Sequence, residues 1–140
     1  MTSAAQEKPE VVEEIRGVLD IRNEAFRQKD IDALMATYSD DAVVLGVGEG
    51  ELWVGKEEIR GAHIEMFKSF DQETAEKKWS KWGLNDSKDT AWSSNLLDVT
   101  STKDGVSYTF HLNLSAVLVK EGDSWRIASI HFSNVIGGDE

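Results

Sequence analysis

The spacing of apolar residues changes once along the chain, close to Asp71. Before this point apolar residues recur every three or four positions, which is typical of amphipathic helices. After it they alternate with polar residues, which is typical of strands with one buried face. The helical pattern predicts a long helix over residues 9–28, a short one from the cap at Asp30 to Tyr38, and a third over residues 56–70.

Strands are predicted in two groups. A small hairpin interrupts the helices, with strands at residues 42–45 and 51–54 joined by a glycine-rich turn. Four longer strands follow the third helix, and because short turns separate them, an antiparallel meander is the natural pairing. Their predicted bounds are residues 74–84, 90–101, 106–120 and 124–134. This order of elements predicts an α+β fold in which the helices cover one face of a curved sheet.

The two faces of the third long strand differ in polarity. One face is apolar and is expected to pack on the helices; it consists of Tyr108, Phe110, Leu112, Leu114, Ala116 and Leu118. The other is half polar; it consists of Thr109, His111, Asn113, Ser115, Val117 and Val119. A face of this mixed character suits a contact between subunits. We therefore expect a homodimer that forms through His111, Asn113, Ser115 and Val117.

The last predicted strand carries a histidine and a serine at positions of equal parity. In an unbroken strand Trp125, Ile127, His131 and Ser133 point to one face. A histidine beside a serine on a face that lines a pocket could carry chemistry. It could equally be a hydrogen-bonded residue at the edge of the sheet.

Size and charge narrow the classes of function. The chain has 140 residues, which corresponds to one domain, predicted over residues 9–135 with tails at 1–8 and 136–140. The formal net charge of -11 argues against binding to nucleic acid or to an anionic membrane surface. The absence of cysteine excludes disulfides, thiolate metal ligands and cysteine nucleophiles.

The N-terminal residues lack the apolar core of a signal peptide, and no apolar run approaches the roughly 18 residues of a membrane span, so a cytoplasmic location is expected.

Five segments of the chain resemble those of a known superfamily. They are Lys29-Asp30-Ile31-Asp32-Ala33-Leu34, Tyr38-Ser39-Asp40-Asp41-Ala42-Val43-Val44, Trp53-Val54-Gly55-Lys56-Glu57-Glu58-Ile59, Asp89-Thr90-Ala91-Trp92 and the strand from Trp125 to Ser133. Through them, residues 10–134 are similar to the SnoaL-like branch of the nuclear transport factor 2-like superfamily. That superfamily also holds ketosteroid isomerases and the association domain of calcium/calmodulin-dependent kinase II.

The resemblance implies a cone of curved sheet wrapped on helices, often dimeric through the back of the sheet. It leaves the reaction open, because this fold hosts isomerases, cyclases, dehydratases and assembly modules. Ketosteroid isomerases carry a catalytic aspartate at the position that matches Gly46, so their route of catalysis is not expected here. The kinase association domain carries a pocket arginine at the position that matches Ala116. The closing His131-x-Ser133 does resemble the final strand of the association domain, as a shared feature of the family.

The candidate catalytic residues are His131 and His63. Either could act as a general base or hydrogen-bond a ligand carbonyl. Either could instead be a structural histidine, because the sequence shows no partner that would orient it. His63 lies on the apolar stripe of the third helix, together with Ile59 and Met66. The positions of His63, His111 and His131 do not have the spacing of a metal site, so neither a metal nor a cofactor is expected.

A ligand pocket is predicted inside the cone. Its candidate lining is mostly apolar with few polar groups, as in most small-molecule sites, although residues at these spacings are also typical of a core. The candidates are Tyr38, Trp53, Met66, Trp92, Asn95, Phe110 and Ser133. The sequence favours a protein that binds a small apolar molecule, with cofactor-free isomerase, cyclase or dehydratase chemistry on a carbonyl compound as its leading function. The alternative is a non-catalytic module for dimerisation, association or ligand sensing.

Overall fold

Three helices lie against one face of a curled six-stranded sheet in the computed structural model, which describes residues 9–134. Helix α1 spans Pro9–Arg27, α2 spans Ile31–Met35, and α3 spans Lys56–Met66 and continues as a 3-10 turn over Phe67–Ser69. The predicted tails at residues 1–8 and 136–140 lie outside the described residues. Among residues 9–134, no helix combines the length and the apolar character needed to cross a membrane.

Two helices end earlier than the sequence pattern predicts, and the six strands follow the predicted order. They are β1 Tyr38–Leu45, β2 Leu52–Val54, β3 Gln72–Leu84, β4 Thr90–Lys103, β5 Val106–Glu121 and β6 Ser124–Ser133. Helix α2 ends at Met35 rather than at Tyr38, because Tyr38 already pairs with Ile127 in β6. Helix α3 gives way to the 3-10 turn before Phe70, which is extended.

The sheet has the order β2-β1-β6-β5-β4-β3. The predicted hairpin of β1 and β2 and the antiparallel meander from β3 to β6 are confirmed. The pairing that joins them is parallel, between β1 and β6, and it was not predicted. This pairing brings the last strand beside the first, so that β6 lies in the interior of the sheet. The architecture is the predicted α+β arrangement.

The core lies between the helices and the inner face of the sheet. Its most deeply buried side chains are Ile15, Leu34, Val44, Ile59, Leu118, Ile127 and Ile130. The apolar face of β5 is only partly covered: Leu114, Ala116 and Leu118 are buried as predicted, whereas Tyr108 at the beginning of the same face is 59% exposed. The helices therefore cover one half of this face and leave the other half as the wall of a cavity.

The predicted common face for Trp125, Ile127, His131 and Ser133 is wrong, because β6 contains a β-bulge. Ile127 pairs with Leu118 and Ser129 pairs with Val117, which leaves one extra residue, Ala128, in β6. The extra residue reverses the alternation. Trp125 and Ile127 point into the core before the bulge, and Ile130 is buried after it, with His131 exposed on the outer face.

Candidate functional site

A cavity of about 460 Å³ lies between α1, α3 and the inner face of the sheet. Its wall is mainly apolar and aromatic; the principal side chains are Phe26, Trp53, Met66, Leu97, Phe110 and Leu114. Exposed residues such as Val47 and Tyr108 also line it, so the cavity reaches the surface. Cavities of this size and lining are typical of small-molecule sites.

The most unusual polar group in the cavity is the guanidinium of Arg22, in the second half of α1. Its side chain is only 6% exposed. Nε donates to the hydroxyl of Tyr38 at 3.1 Å, and one terminal nitrogen donates to Oδ1 of Asn23 at 3.0 Å. The other terminal nitrogen lies 3.1 Å from Nε2 of His63. These contacts connect α1 to β1 and α3 around the positive charge.

His63 is completely buried in α3, and both nitrogens of its ring are engaged. Nδ1 lies 2.8 Å from the carbonyl oxygen of Ile59, which can only accept, so Nδ1 carries the proton. Nε2 faces Arg22, which can only donate, so Nε2 accepts. Burial first, and then the charge of Arg22, lower the pKa of His63 to about 4, against a smaller opposing effect of the bond to Ile59.

His63 is therefore neutral at pH 7 and has no free lone pair to offer a substrate. The structure places this candidate catalytic residue in the cavity wall, in contact with Arg22. Its geometry is that of a group that orients the guanidinium through a hydrogen bond.

Glu73 in β3 is the second charged group of interest in the cavity. Burial raises the pKa of its carboxyl group, although the charges of Arg22 and Arg27 act in the opposite direction. Among residues 9–134, no hydrogen bond or ion pair engages this carboxylate. A poorly solvated carboxylate without a partner is well suited to accept or give a proton.

Glu51 fills the space beside Gly46, the position at which the sequence lacks the isomerase aspartate. A Cβ atom on Gly46 would collide with the Glu51 side chain, which reaches back across the turn between β1 and β2. The Glu51 carboxylate accepts a hydrogen bond from the backbone N–H of Gly48 at 3.1 Å, and it lines the cavity. A carboxylate is thus present in this region, from a different position in the chain.

The predicted site residues divide into three groups. Those that line the cavity are His63, Trp53, Met66 and Phe110. Those that are buried beside it are Tyr38, which accepts from Arg22, and Asn95, whose amide donates to Ser93 and to the carbonyl of Leu114. Those on the outer face of the sheet are His131, Trp92 and Ser133, none of which lines the cavity.

These three outer residues have a clear physical reason for their position. The bulge at Ala128 reverses the parity of β6, which carries His131 and Ser133 outward. Ser133 accepts a hydrogen bond from the amide of Asn113 at 3.2 Å on that face. Trp92 in β4 lies opposite Val117 of β5, on the outer face of the sheet, and is 48% exposed. Its ring covers Gly83 of the neighbouring strand β3.

Sequence reasoning missed Arg22, Glu73 and Glu51 as site residues. One signal for Arg22 was available, because it stands on the stripe of α1 that otherwise carries apolar side chains. A charged residue at such a position must find partners on another element. Glu73 and Glu51 gave no comparable signal, since both occur in polar stretches near the ends of strands. Within the described part of the chain, no cluster of three or more His, Asp or Glu side chains could hold a metal ion.

Comparison with known proteins agrees with this architecture. The family model described as a SnoaL-like domain matches residues 15–137. A ketosteroid isomerase-like protein from Erwinia carotovora atroseptica shares 27% sequence identity with a TM-score of 0.71, over 88% of this chain and 95% of that one. Among curated proteins, none matches this chain in sequence.

Two further solved structures share the fold at lower identity. A candidate dehydratase of the nuclear transport factor 2-like family from Streptomyces avermitilis is 18% identical, with a TM-score of 0.76 over 90% of this chain and 97% of that one. A candidate calcium/calmodulin-dependent kinase II association domain from Xanthomonas campestris is 19% identical, with a TM-score of 0.78 over 89% and 87%. These likenesses show the fold.

Acidification should destabilise the protein through His63. Because the folded-state pKa of about 4 lies below the ordinary histidine pKa of 6.5, the unfolded chain binds more protons between these two values. The free energy of unfolding therefore falls as the pH drops through this window. The His63 contribution between pH 7 and pH 5 is on the order of 2 kcal/mol.

The measurement is urea unfolding at pH 7 and pH 5. His63→Gln keeps an acceptor for Arg22 and cannot titrate, so this variant should lose less stability than the wild type over the same interval. His131→Gln, which removes a histidine exposed on the outer face, should behave like the wild type. An identical loss in the wild type and in His63→Gln would contradict the assignment.

Proposed function

Because this chain belongs to the SnoaL-like domain family, we propose that it binds a small, largely apolar carbonyl compound in the cavity and transfers a proton on it without a cofactor. The observation that carries the proposal is the cavity of about 460 Å³, with its apolar wall and few polar groups. The relatives named for ketosteroid isomerase and dehydratase activities support the choice of a carbonyl compound and of proton transfer as the chemistry.

Glu73 is the best candidate for the group that transfers the proton. Its carboxylate lines the cavity, its pKa is raised by burial, and within residues 9–134 no partner engages it. A raised pKa brings a carboxylate closer to the value at which it both takes and returns a proton efficiently near neutral pH. His63 is less suitable, because its accepting nitrogen is occupied by Arg22. Glu51 is held by the backbone of Gly48.

A neutral apolar probe should bind in the cavity. N-phenyl-1-naphthylamine fluoresces strongly in apolar surroundings, so its emission should rise with wild-type protein. Leu97→Trp, which places a large ring in the cavity, should abolish the rise. Leu96→Trp adds the same ring on the outer face and should preserve it, because Leu96 is 46% exposed and does not line the cavity.

The fold of both variants is checked by thermal unfolding, and small ketones and enones are then tested as competitors. Equal emission with Leu97→Trp and with the wild type would mean that the probe binds elsewhere. No emission with the wild type would count against an accessible cavity.

Glu73→Gln should remove proton transfer. Compounds that displace the probe are incubated with protein in D2O, and proton NMR follows exchange at the carbon next to the carbonyl. The wild type should accelerate exchange, and Glu73→Gln should lower the rate by roughly 100-fold or more, the usual contribution of a general base. Glu76→Gln makes the same change on the outer face of β3 and should retain the rate. Equal exchange by Glu73→Gln and the wild type would exclude Glu73 as the base.

A second function, association of two copies of the chain, is favoured by the outer face of the sheet. The predicted interface residues His111, Asn113, Ser115 and Val117 are all exposed there. Large apolar side chains accompany them in adjacent rows; they are Trp79, Trp92 and Leu96, with exposed fractions of 50%, 48% and 46%. Apolar area of this kind on a sheet is typical of contacts between proteins. The Xanthomonas campestris relative is itself named as an association domain.

Val117→Lys should weaken the dimer. The new charge would lie opposite Trp92, in the middle of the apolar rows, and would have to lose its water on association. Val106→Lys is the matched control: it makes the same substitution at the beginning of the same strand, where the valine is 67% exposed. Light scattering over a range of concentrations measures the mass. A monomeric wild type would remove the proposal, and an unchanged mass for Val117→Lys would exclude this face.

A further inference from the structure

Arg22 differs from every other arginine in the described residues by its lack of an acidic partner. The other four each lie beside a carboxylate; the pairs are Arg16 with Glu13, Arg27 with Glu24, Arg60 with Asp32, and Arg126 with Glu121. These four have side chains that are 34% to 46% exposed. The arginine that is only 6% exposed is therefore the one without a counter-ion. A buried charge is costly unless it is paired, so this arrangement needs an explanation.

The hydrogen bonds of Arg22 go to neutral groups and leave two donors free. Three of its five N–H groups are used, toward Tyr38, Asn23 and His63. The two that remain are one on each terminal nitrogen. A carboxylate has two oxygens and can accept one N–H group from each terminal nitrogen of a guanidinium. The donors required for such a ligand are thus present and unused within residues 9–134.

The surroundings of Arg22 keep its positive charge available to the cavity. His63 is neutral, so it neither adds to the positive charge of Arg22 nor neutralises it. Glu73 lines the same cavity and feels the charge, but it makes no ion pair with Arg22 in the described structure. The chain has 26 acidic residues against 15 basic ones, so acidic side chains are abundant, yet no ion pair joins a carboxylate to this guanidinium within residues 9–134.

The apolar groups around the guanidinium indicate what else the ligand carries. The guanidinium carbon lies 5.4 Å from the ring centre of Phe26 and 5.0 Å from that of Phe132, and both rings line the cavity. An anion that reaches Arg22 must therefore bring an apolar body that fills the space between these rings and the sheet. Glu51 and Glu73 in the same cavity disfavour an anion of higher charge, such as a phosphate dianion.

We infer that the compound bound in the cavity is a monocarboxylic acid with an apolar body, held as its anion by the two free N–H groups of Arg22. This inference rests on the proposed function, since it requires that the cavity holds a ligand. It narrows the substrate class from carbonyl compounds in general to those that carry a carboxylate. His63 and Tyr38 then act as positioning residues, because each fixes the guanidinium without touching the ligand.

Matched pairs of ligands test the charge directly. Isothermal titration calorimetry at pH 7 compares naphthalene-2-carboxylate with naphthalene-2-carboxamide, and octanoate with octanamide. Each pair has nearly the same shape and differs in charge. In at least one pair, the wild type should bind the carboxylate roughly tenfold more tightly than the amide, or better, as expected for a charge-assisted hydrogen bond in a buried site.

Variants of Arg22 test the assignment of the residue. Arg22→Met should abolish the preference for the carboxylate, and Arg22→Lys, which keeps the charge and loses the bidentate geometry, should retain part of it. Arg16→Met removes a positive charge from the same helix at a position outside the cavity and should keep the full preference. Binding of N-phenyl-1-naphthylamine shows whether each variant keeps a folded cavity. If Arg22→Met does not fold, the Arg22→Lys variant and the comparison of the ligand pairs on the wild type still test the inference.

Several results would overturn the inference. Equal or tighter binding of both amides by the wild type would exclude an anion site, as would a full preference for the carboxylate in Arg22→Met. If the neutral probe binds and none of the four ligands does, the cavity is real and the carboxylate assignment is wrong. If the neutral probe also fails to bind, the proposed function itself fails, and the inference falls with it.

Discussion

The hydrogen bond between Arg22 and His63 joins α1 to α3, and the inner end of the cavity depends on it. Each side chain would be unfavourable in an apolar wall by itself, because burial of an unpaired polar group costs free energy. Together with the hydroxyl of Tyr38 they satisfy one another and connect two helices to the first strand. The guanidinium and the imidazole can therefore lie in the cavity wall with hydrogen bonds to neighbouring side chains.

Two bulges change which side chains lie on the outer face of the sheet. An extra residue in β3, between Lys77 and Trp79, turns Trp79 outward beside Leu96, and the extra residue in β6 does the same for His131. Bulges also bend and twist a strand, which helps to curl the sheet around the cavity. The bulges thus help to curl the sheet, and they add Trp79 to Trp92 and Leu96, which uninterrupted alternation places on the outer face. The proposed binding and the proposed association are compatible with each other, because they would use opposite faces of the sheet.

The type and order of the elements could be predicted from the sequence, because the periodicity of apolar residues is a local signal. The faces of β5 followed from the same alternation, and Leu114 and Leu118 are buried as expected. The orientation of His131 could not be predicted, since a bulge depends on how two strands pair and leaves no mark in the spacing of one strand. The charge of Arg22 on an apolar stripe was a signal that it has buried partners, but which partners could not be predicted, because His63 is 41 positions away. Alternation in the sequence predicts which residues of a strand share a face only as far as the first bulge in that strand.

The position of the carboxylates shows why the fold alone does not determine the reaction. Gly46 stands where the isomerases carry their aspartate, and its lack of a side chain makes room for Glu51 from the other side of the turn. Glu73 enters the same cavity from β3, a strand that lies at the opposite edge of the sheet from that turn. An acidic group can therefore reach the cavity from more than one position in the chain, here from a turn and from a strand. Function in such a scaffold must be argued from which groups are left without partners. Among the charged groups of the cavity described over residues 9–134, Glu73 has a raised pKa and no hydrogen bond, and Arg22 keeps two unused N–H groups; the two do not form an ion pair with each other.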